Sequence, residues 1–431
     1  MKAIHRRDLP PPPTKHKDIE SHPLGRLFEQ AEKDHLQNHV PMNSWTVIDQ
    51  TEARGEQILD SMWVYVYKFD KHGRLLKCKA RLVVRGDQQA RVGREDTYAA
   101  TLAARSFRTF MAIAARFDLE LRQYDAVNAF VHAPLPDKVY MRMPQGYRQH
   151  GRILRLNKAV YGLRQSPVLW QRLFTTTLLE IGFKPVPHEP CCLTYDGILI
   201  FFYVDDIVLA YRKSQELKAQ DLVNQLKRHY NISGGEDLQW FLGIQIHRDR
   251  AQKSIWLSQN SYIDKIVKLA DTNQSDETPM TKTELFPYEH RASRQIVRAY
   301  QRKIGSLLYA AVTTRIDIAF AVSRLARFLT NPSPEHHAAA DRVLHYLYRH
   351  REPGLQLGGS DDFLVATDSS FANNTMDRKS SQAYVMVLFG GVIGWQANKQ
   401  NTVTTSTTEA ELLSLSQGAK EGQYVKPYWT N

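Results

Sequence analysis

The sequence predicts an α+β protein built in two units, on three observations. Between about residues 60 and 260, helical and strand patterns alternate, and the strands read as antiparallel pairs. Inside that stretch, Ile198-Leu199-Ile200-Phe201-Phe202 and Val208-Leu209-Ala210-Tyr211 flank Asp205-Asp206, which reads as two apolar strands joined at an acidic tip. After a break from Gly354 to Ser360, a second and smaller run of strands ends in a helix. At 431 residues the chain can bury two or three cores.

In chain order, residues 1–28 are basic and carry Pro10 to Pro13 in a row. That composition predicts an extended, disordered lead-in. Residues 62–87 alternate apolar and polar, with Trp63, Tyr65 and Tyr67, then Leu76 and Cys78, then Leu82 and Val84 as the apolar positions and Gly73 at the turn: a β-hairpin. Ala104 to Phe117 reads as a helix, and Leu119 to Tyr124 as a strand leading into Asp125. Ser166-Pro167 opens a helix to Ile181, as an N-cap followed by proline. After the acidic hairpin, Ser214 caps a helix with Ala219, Leu222, Val223 and Leu226 on one face. Strands return near Leu238 to His247 and Ser254 to Leu257. A polar linker over 272–292 precedes helices over 296–312 and 317–329, and a third opened by Ser333-Pro334-Glu335. The second unit places strands at Phe363 to Thr367, Gln382 to Leu388, Val392 to Gln396 and Thr402 to Thr405, then a helix from Thr407. The expected division is 1–28, 29–271, 272–353 and 354–431.

Composition narrows the function classes. The net charge of +12 and a pI near 9.4 point to a polyanionic partner or an anionic surface. Cys78, Cys191 and Cys192 form neither an even disulfide framework nor a metal-ligand spacing, which fits a reducing intracellular compartment, cytoplasmic or nuclear. Asp205 and Asp206 interrupt the longest apolar stretch, and no signal-peptide core opens the chain, so neither a membrane span nor secretion is expected.

Apolar strand walls are a poor place for two like charges, because each is desolvated and repels the other. A multivalent cation would neutralise the pair. An Asp-Asp turn with both side chains solvated is the other reading of the same spacing. A catalytic metal pair needs a third carboxylate from another element, and Asp125, at the end of a strand, is the candidate. Oxygen-only ligands suit Mg²⁺ or Mn²⁺. Two such ions can serve an in-line phosphoryl displacement.

Three blocks in order resemble the reverse transcriptase of copia-type LTR retrotransposons: Gln123-Tyr124-Asp125 with Ala129-Phe130, Lys158 to Pro167, and Tyr203-Val204-Asp205-Asp206. Asn43-Ser44-Trp45, Lys79 to Val83, Phe241 to Ile244, Thr278-Pro279-Met280, Gly305 to Tyr309 and Thr314 to Ala319 extend the match from about residue 30 to the C-terminus. The resemblance implies a right-hand polymerase, with fingers and palm over 29–271 and thumb or connection helices within 272–353. It implies that Asp125, Asp205 and Asp206 are catalytic and hold two Mg²⁺ (or Mn²⁺) ions. It also implies a steric gate at Phe130 against a ribonucleotide 2′-hydroxyl, and triphosphate contacts from Lys79 and Arg81. Asn128, Ala129, Gly162 and Gln165 would line the nucleotide pocket. Implied partners are an RNA template, a DNA primer and dNTP, with other retroelement polyprotein segments possible. Trp170 reads as core. Ala126 and Ala133 depart from the usual Val/Ile and Gly, and Thr97 to Arg105 fits poorly.

Residues 354–431 resemble the first part of a ribonuclease H domain through Asp368 to Ala372, Asp377 to Ser381, Trp395, Lys399-Gln400 and Ser406 to Glu411. Asp368 and Glu411 match two of its metal ligands, with Glu409 a further candidate. No Asp follows Asp377, and Asn431 ends the chain 20 residues after Glu411. The expectation is a C-terminally truncated domain, unstable at that edge, without ribonuclease H activity. Three functions remain in view: an RNA-directed DNA polymerase, a retroelement remnant that only binds nucleic acid, and a different two-metal polymerase on a related palm.

Overall fold

The computed structural model describes residues 4–70, 72–90, 93, 97–271, 276–352, 354–359 and 362–426. An N-terminal region contains α1 (Gly25–His39), β1 (Trp45–Asp49), β2 (Ile58–Leu59) and the hairpin β3 (Ser61–Phe69) and β4 (Leu75–Val84). Then come α2 (Ala104–Arg116), β5 (Glu120–Ala126), α3 (Ala129–His132), β6 (Pro134–Arg142), β7 (Arg152–Lys158) and α4 (Ser166–Ile181). A meander of β8 (Lys184–Val186), β9 (Glu189–Tyr195), β10 (Ile198–Tyr203) and β11 (Asp206–Tyr211) follows. Next are α5 (Glu216–His229), β12 (Ile232–Asp237), β13 (Trp240–Phe241), β14 (Ile244–Asp249), β15 (Ser254–Ser258) and α6 (Asn260–Ile266). A helical bundle holds α7 (Arg294–Thr313), α8 (Ala319–Leu325) and α9 (Pro334–Arg349). The chain then forms β16 (Leu355–Leu357), β17 (Phe363–Ser370), β18 (Ser381–Leu388), β19 (Gly391–Lys399) and α10 (Thr407–Val425).

The central six-stranded sheet has the order β12-β5-β11-β10-β9-β8. Successive residues of a strand face opposite sides, and β10 shows what that does here. Phe201 stacks on Phe110 of α2, with ring centroids 5.6 Å apart, while Phe202 meets Phe174 of α4 edge-on at 5.0 Å. The near-continuous apolar run is therefore a strand buried on both faces between two helices. A separate core joins α1 to β3, β4, β6 and β7 through Phe28, Trp63, Tyr65, Met141 and Leu154. The helical bundle has its own core around Tyr300, Leu307, Val322 and Leu344.

Several expectations change. The expected disordered lead-in is, over residues 4–28, laid along the β3–β4 hairpin; residues 1–3 lie outside the described residues. Leu75 N donates to Ile4 O (2.8 Å), Tyr67 Oη to Pro10 O (3.1 Å), and Ile19 is buried. A proline run loses little entropy on docking, so a composition that reads as disorder suits a strap equally well. The break after residue 353, itself outside the described residues, contains β16, which pairs with β15. Thr402 to Thr405 form no strand; they lead into Ser406, whose hydroxyl accepts from Glu409 N. Ser166 does not cap α4, because its hydroxyl donates to Val160 O (2.7 Å). Ser214 sits in a 3-10 turn ahead of α5. The start of the expected linker, 272–275, lies outside the described residues.

The C-terminal sheet, β17-β18-β19, is covered on one face by α10. Ala410, Ser414, Gly418 and Gly422 recur every four residues along the helix and are buried, so the helix lies close on the sheet. At Gly418 a Cβ would strike Thr367 Cγ2. Met386, Leu388, Phe389 and Ile393 share one core with the central sheet and α2. The expected loose edge at 427–431 lies outside the described residues. Among the described residues, no helix is long and apolar enough to cross a membrane.

Candidate active site

The acidic tip is placed by pairing register. Strands β5 and β11 run antiparallel with Asp125 opposite Asp206, Tyr124 opposite Ile207 and Gln123 opposite Val208. Gln123, Asp125 and Asp206 thus share one face of the sheet. Ala126 N donates to Asp205 O (2.9 Å), so the backbone on both sides of the carboxylates is tied together. Strand β10 closes the hairpin with Tyr203 opposite Asp206. Between them, Val204 and Asp205 make a two-residue turn, and Val204 holds φ +56°. A β-branched residue at positive φ is strained, and glycine is the usual occupant of such a turn position. Trp170 of α4 holds it there: its Nε1 donates to Val204 O at 2.7 Å. Trp170 is core, as expected, and also the clamp on the turn that carries Asp205.

Electrostatics at the tip follow from like charges close together. Partial burial, and then Asp205, raise the Asp125 carboxyl above its ordinary value, while Lys79 and Arg81 pull it down. Asp206 is raised by burial and then by Asp205, against a hydrogen bond from Gln123 Nε2 (3.3 Å). Among the described residues, no group of three or more His, Cys, Asp or Glu side chains is drawn together as a finished metal centre. The three carboxylates are neighbours held by backbone register, and their mutual repulsion opposes closer approach.

Lys79 and Arg81 lie two apart on β4, and both act electrostatically on Asp125. The Arg81 guanidinium lies 4.2 Å from the centroid of the Tyr161 ring, and Tyr161 meets Phe130 edge-on at 4.7 Å. Phe130 is buried at the start of α3, beside buried Ala129. Asn128 precedes them at φ +55°, a conformation Asn tolerates better than most residues. Gly162 sits at φ +99°, where a Cβ would collide with Val84 O; it lets the Tyr161 loop lie against β4. Gln165 is buried at the N-terminus of α4. The structure therefore gathers Asp125, Asp205, Asp206, Lys79, Arg81 and Phe130 around one end of the central sheet.

Asp368 and Glu411 belong to the C-terminal unit and are exposed. Ser414, one turn after Glu411, donates to Asp368 O (2.8 Å), which places Glu411 on the helix face toward β17. Glu409 is used locally, accepting from Thr405 N.

Reading the sequence missed Gln123, Tyr161 and the clamp role of Trp170. Gln123 was findable, since it lies two residues before Asp125 on a strand and so shares its face. Tyr161 sits inside a block already singled out. Nothing local marks the Trp170 bond, which spans 34 residues.

The reverse transcriptase (RNA-dependent DNA polymerase) family matches residues 42–282, more than half of the chain. The chain is 30% identical over 430 residues to the retrovirus-related Pol polyprotein from transposon TNT 1-94 of Nicotiana tabacum, covering 96% of this chain and 32% of that protein. It is 31% identical over 310 residues to a putative transposon Ty5-1 protein of Saccharomyces cerevisiae, covering 69% of this chain and 99% of that protein. The chain thus spans about a third or less of the Pol polyproteins it resembles. In fold it is similar to a foamy viral protease-reverse transcriptase solved with double-stranded DNA (TM-score 0.52, 16% identity, 93% of this chain and 60% of that one). It is also similar to a foamy viral protease-reverse transcriptase solved with an RNA/DNA hybrid (TM-score 0.51, 14% identity, 92% and 47%). The fold is that of a right-hand polymerase, and the chain belongs to the reverse transcriptase (RNA-dependent DNA polymerase) family, on its copia-type retrotransposon side.

Proposed function

We propose that the chain is an RNA-directed DNA polymerase that extends a DNA primer with dNTP on an RNA template. The observation that carries this reading is the β5–β11 register, which sets Asp125 across from Asp206 with Asp205 tied to the next residue. The donor set fits two hard divalent cations, Mg²⁺ or Mn²⁺: it is all oxygen and partly exposed, and its Asp125 and Asp206 carboxyls are raised by burial and then by Asp205. Asp125, Asp205 and Asp206 would hold them. Bound there, such ions activate an attacking hydroxyl and steady a leaving group.

The chain's own residues position the reactants. Arg81, which lies over Tyr161, and Lys79 bind the triphosphate; a guanidinium presents a planar fork of donors to phosphate. Phe130, backed by Tyr161, narrows the space beside the sugar. Asn128, Ala129, Gly162 and Gln165 frame the pocket, and Gln123 orients Asp206. Arg294, Arg298 and Arg302 recur every four residues on α7, are exposed, and make no ion pair among the described residues. They offer a cationic stripe to a nucleic-acid duplex. The nucleic acids bound to the foamy viral neighbours support that partner. By the same reading, residues 29–271 are fingers and palm, the bundle is thumb, and residues from 354 onward are ribonuclease H-like. On this reading that last unit contributes no hydrolysis: among the described residues no third acid joins Asp368 and Glu411, Glu421 being paired with Arg105.

Primer extension on an RNA template tests the reading. Incorporation should require Mg²⁺ or Mn²⁺, and the hybrid should remain uncleaved. Duplex binding without extension at any concentration of either cation would identify a nucleic-acid-binding remnant instead. Phe130→Ala should relax discrimination against ribonucleotides by about tenfold or more, ~1.4 kcal/mol in transition-state terms. An unchanged dNTP-to-rNTP ratio would remove Phe130 from that role.

A further inference from the structure

One buried cation takes no part in the chemistry above. Arg108 lies in the middle of α2 and is 4% exposed. A guanidinium taken out of water needs compensation, and leaving it without a partner is costly. Among the described residues no carboxylate pairs with it. Its partners are carbonyls from two other parts of the fold. Nη1 donates to Val312 O (2.7 Å) and Thr313 O (2.8 Å), and Nε donates to Ile393 O (2.7 Å). Val312 and Thr313 end α7, where carbonyls have no helical partner and the helix dipole is negative. Ile393 belongs to β19, as does Trp395, whose ring centroid lies 4.0 Å from the guanidinium. Trp395 Nε1 in turn donates to Ala311 O at 2.8 Å. One turn before Arg108, Arg105 pairs with Glu421 and lies over Tyr424 of α10. One turn before the α7 terminus, Tyr309 Oη donates to Leu242 O (2.6 Å) in the β13–β14 turn.

We propose that the C-terminal unit is a brace for helix α7, locked through Arg108 and Trp395, and that it serves the polymerase by positioning. Arg108 and Trp395 are positioning residues: they touch neither the acidic tip nor the proposed nucleotide pocket, and they set how α7, with its cationic stripe, stands against α2 and the β13–β14 turn. The brace itself rests on contacts already in the structure. Its effect on extension rests on the polymerase reading.

The test uses the full chain carrying Arg108→Met or, as the milder change, Trp395→Phe, which removes one hydrogen bond to Ala311. Amide hydrogen exchange without nucleic acid should rise by about tenfold or more at residues 311–315 and 391–395, and stay unchanged at 121–126 and 206–211. With an RNA–DNA primer-template, product length per binding event should shorten and the KM for duplex rise several-fold, while kcat for a single addition stays within about twofold. Arg108→Lys, which keeps the charge but loses the fork, should fall between. Unchanged exchange at 311–315 in both variants overturns the brace. So does a uniform rise in exchange across the central sheet in the Trp395→Phe protein, since that marks Trp395 as ordinary core. If the wild type fails to extend any primer, the polymerase reading falls, and the exchange pattern still decides the brace.

Discussion

Asp125→Asn should abolish primer extension and leave the protein at least as stable as the wild type at neutral pH. The two effects have one cause. Asp125 faces Asp206 across the β5–β11 pair, and its carboxyl is raised by burial and by Asp205. An acid whose folded pKa lies above its unfolded one favours folding in its neutral form. Its charged form therefore opposes folding above the raised pKa, and that opposition fades as pH falls through it into the ordinary carboxylate range. Asn removes the charge at every pH, so the stability difference between variant and wild type should be largest near pH 7 and shrink toward pH 4. Thermal unfolding at the two pH values measures this. Loss of a group that stabilises developing charge costs about 100- to 1,000-fold in rate. Extension within tenfold of wild type, or a variant that melts well below wild type at pH 7, would separate Asp125 from the role assigned to it.

How far the site could be read in advance depends on how local each signal is. The hairpin from Ile198 to Tyr211 was legible because both walls are apolar and the chain reverses within two residues. The alternation of Trp63, Tyr65 and Tyr67 was legible because one face of β3 is buried and the other is not. The place of Asp125 near a strand end was legible from the residues, but its proposed role comes only from the blocks that accompany it, since strand ends often carry a solvated Asp. Features made by distant partners were not legible. Strand β1 pairs with β7 across some hundred residues, and nothing near Trp45 announces Leu156 as its partner. The strap over residues 4–24 has the composition of a disordered tail, and only the hairpin beneath it gives Pro10 O and Ile4 O their donors. Ser166 has a capping sequence but spends its hydroxyl on Val160 O. The second unit reads from the sequence as a unit of its own, and nothing local announces that Met386, Leu388 and Ile393 complete the core under α2. Ending the chain before residue 360 would expose that core and leave Arg108 without the Ile393 carbonyl and the Trp395 ring.

The largest effect on stability should come from Trp170, and its variants should uncouple stability from catalysis. Trp170 is buried, stacks on Phe174 with centroids 5.1 Å apart, and meets Tyr230 edge-on at 5.2 Å. Trp170→Ala leaves a large cavity and should cost ~3–5 kcal/mol by denaturant unfolding. Trp170→Phe keeps most of the packing but removes the donor to Val204 O, which should cost ~1–3 kcal/mol. That carbonyl belongs to a Val at φ +56°, a conformation that persists only while its surroundings enforce it. Released, the turn relaxes and carries Asp205 with it. Misplacing a reacting group by about 1 Å can cost on the order of 100-fold in rate, so Trp170→Phe should lose far more activity than its stability suggests. Adding Val204→Gly to that variant provides the sharper test. Glycine takes positive φ without strain, so the part of the lost stability that is backbone strain should return. Activity should not, because a relaxed glycine turn no longer fixes the Asp205 carboxylate. A double variant that regains both, or a Trp170→Phe protein with the wild-type rate, would show that the clamp on Val204 has no bearing on the acidic site.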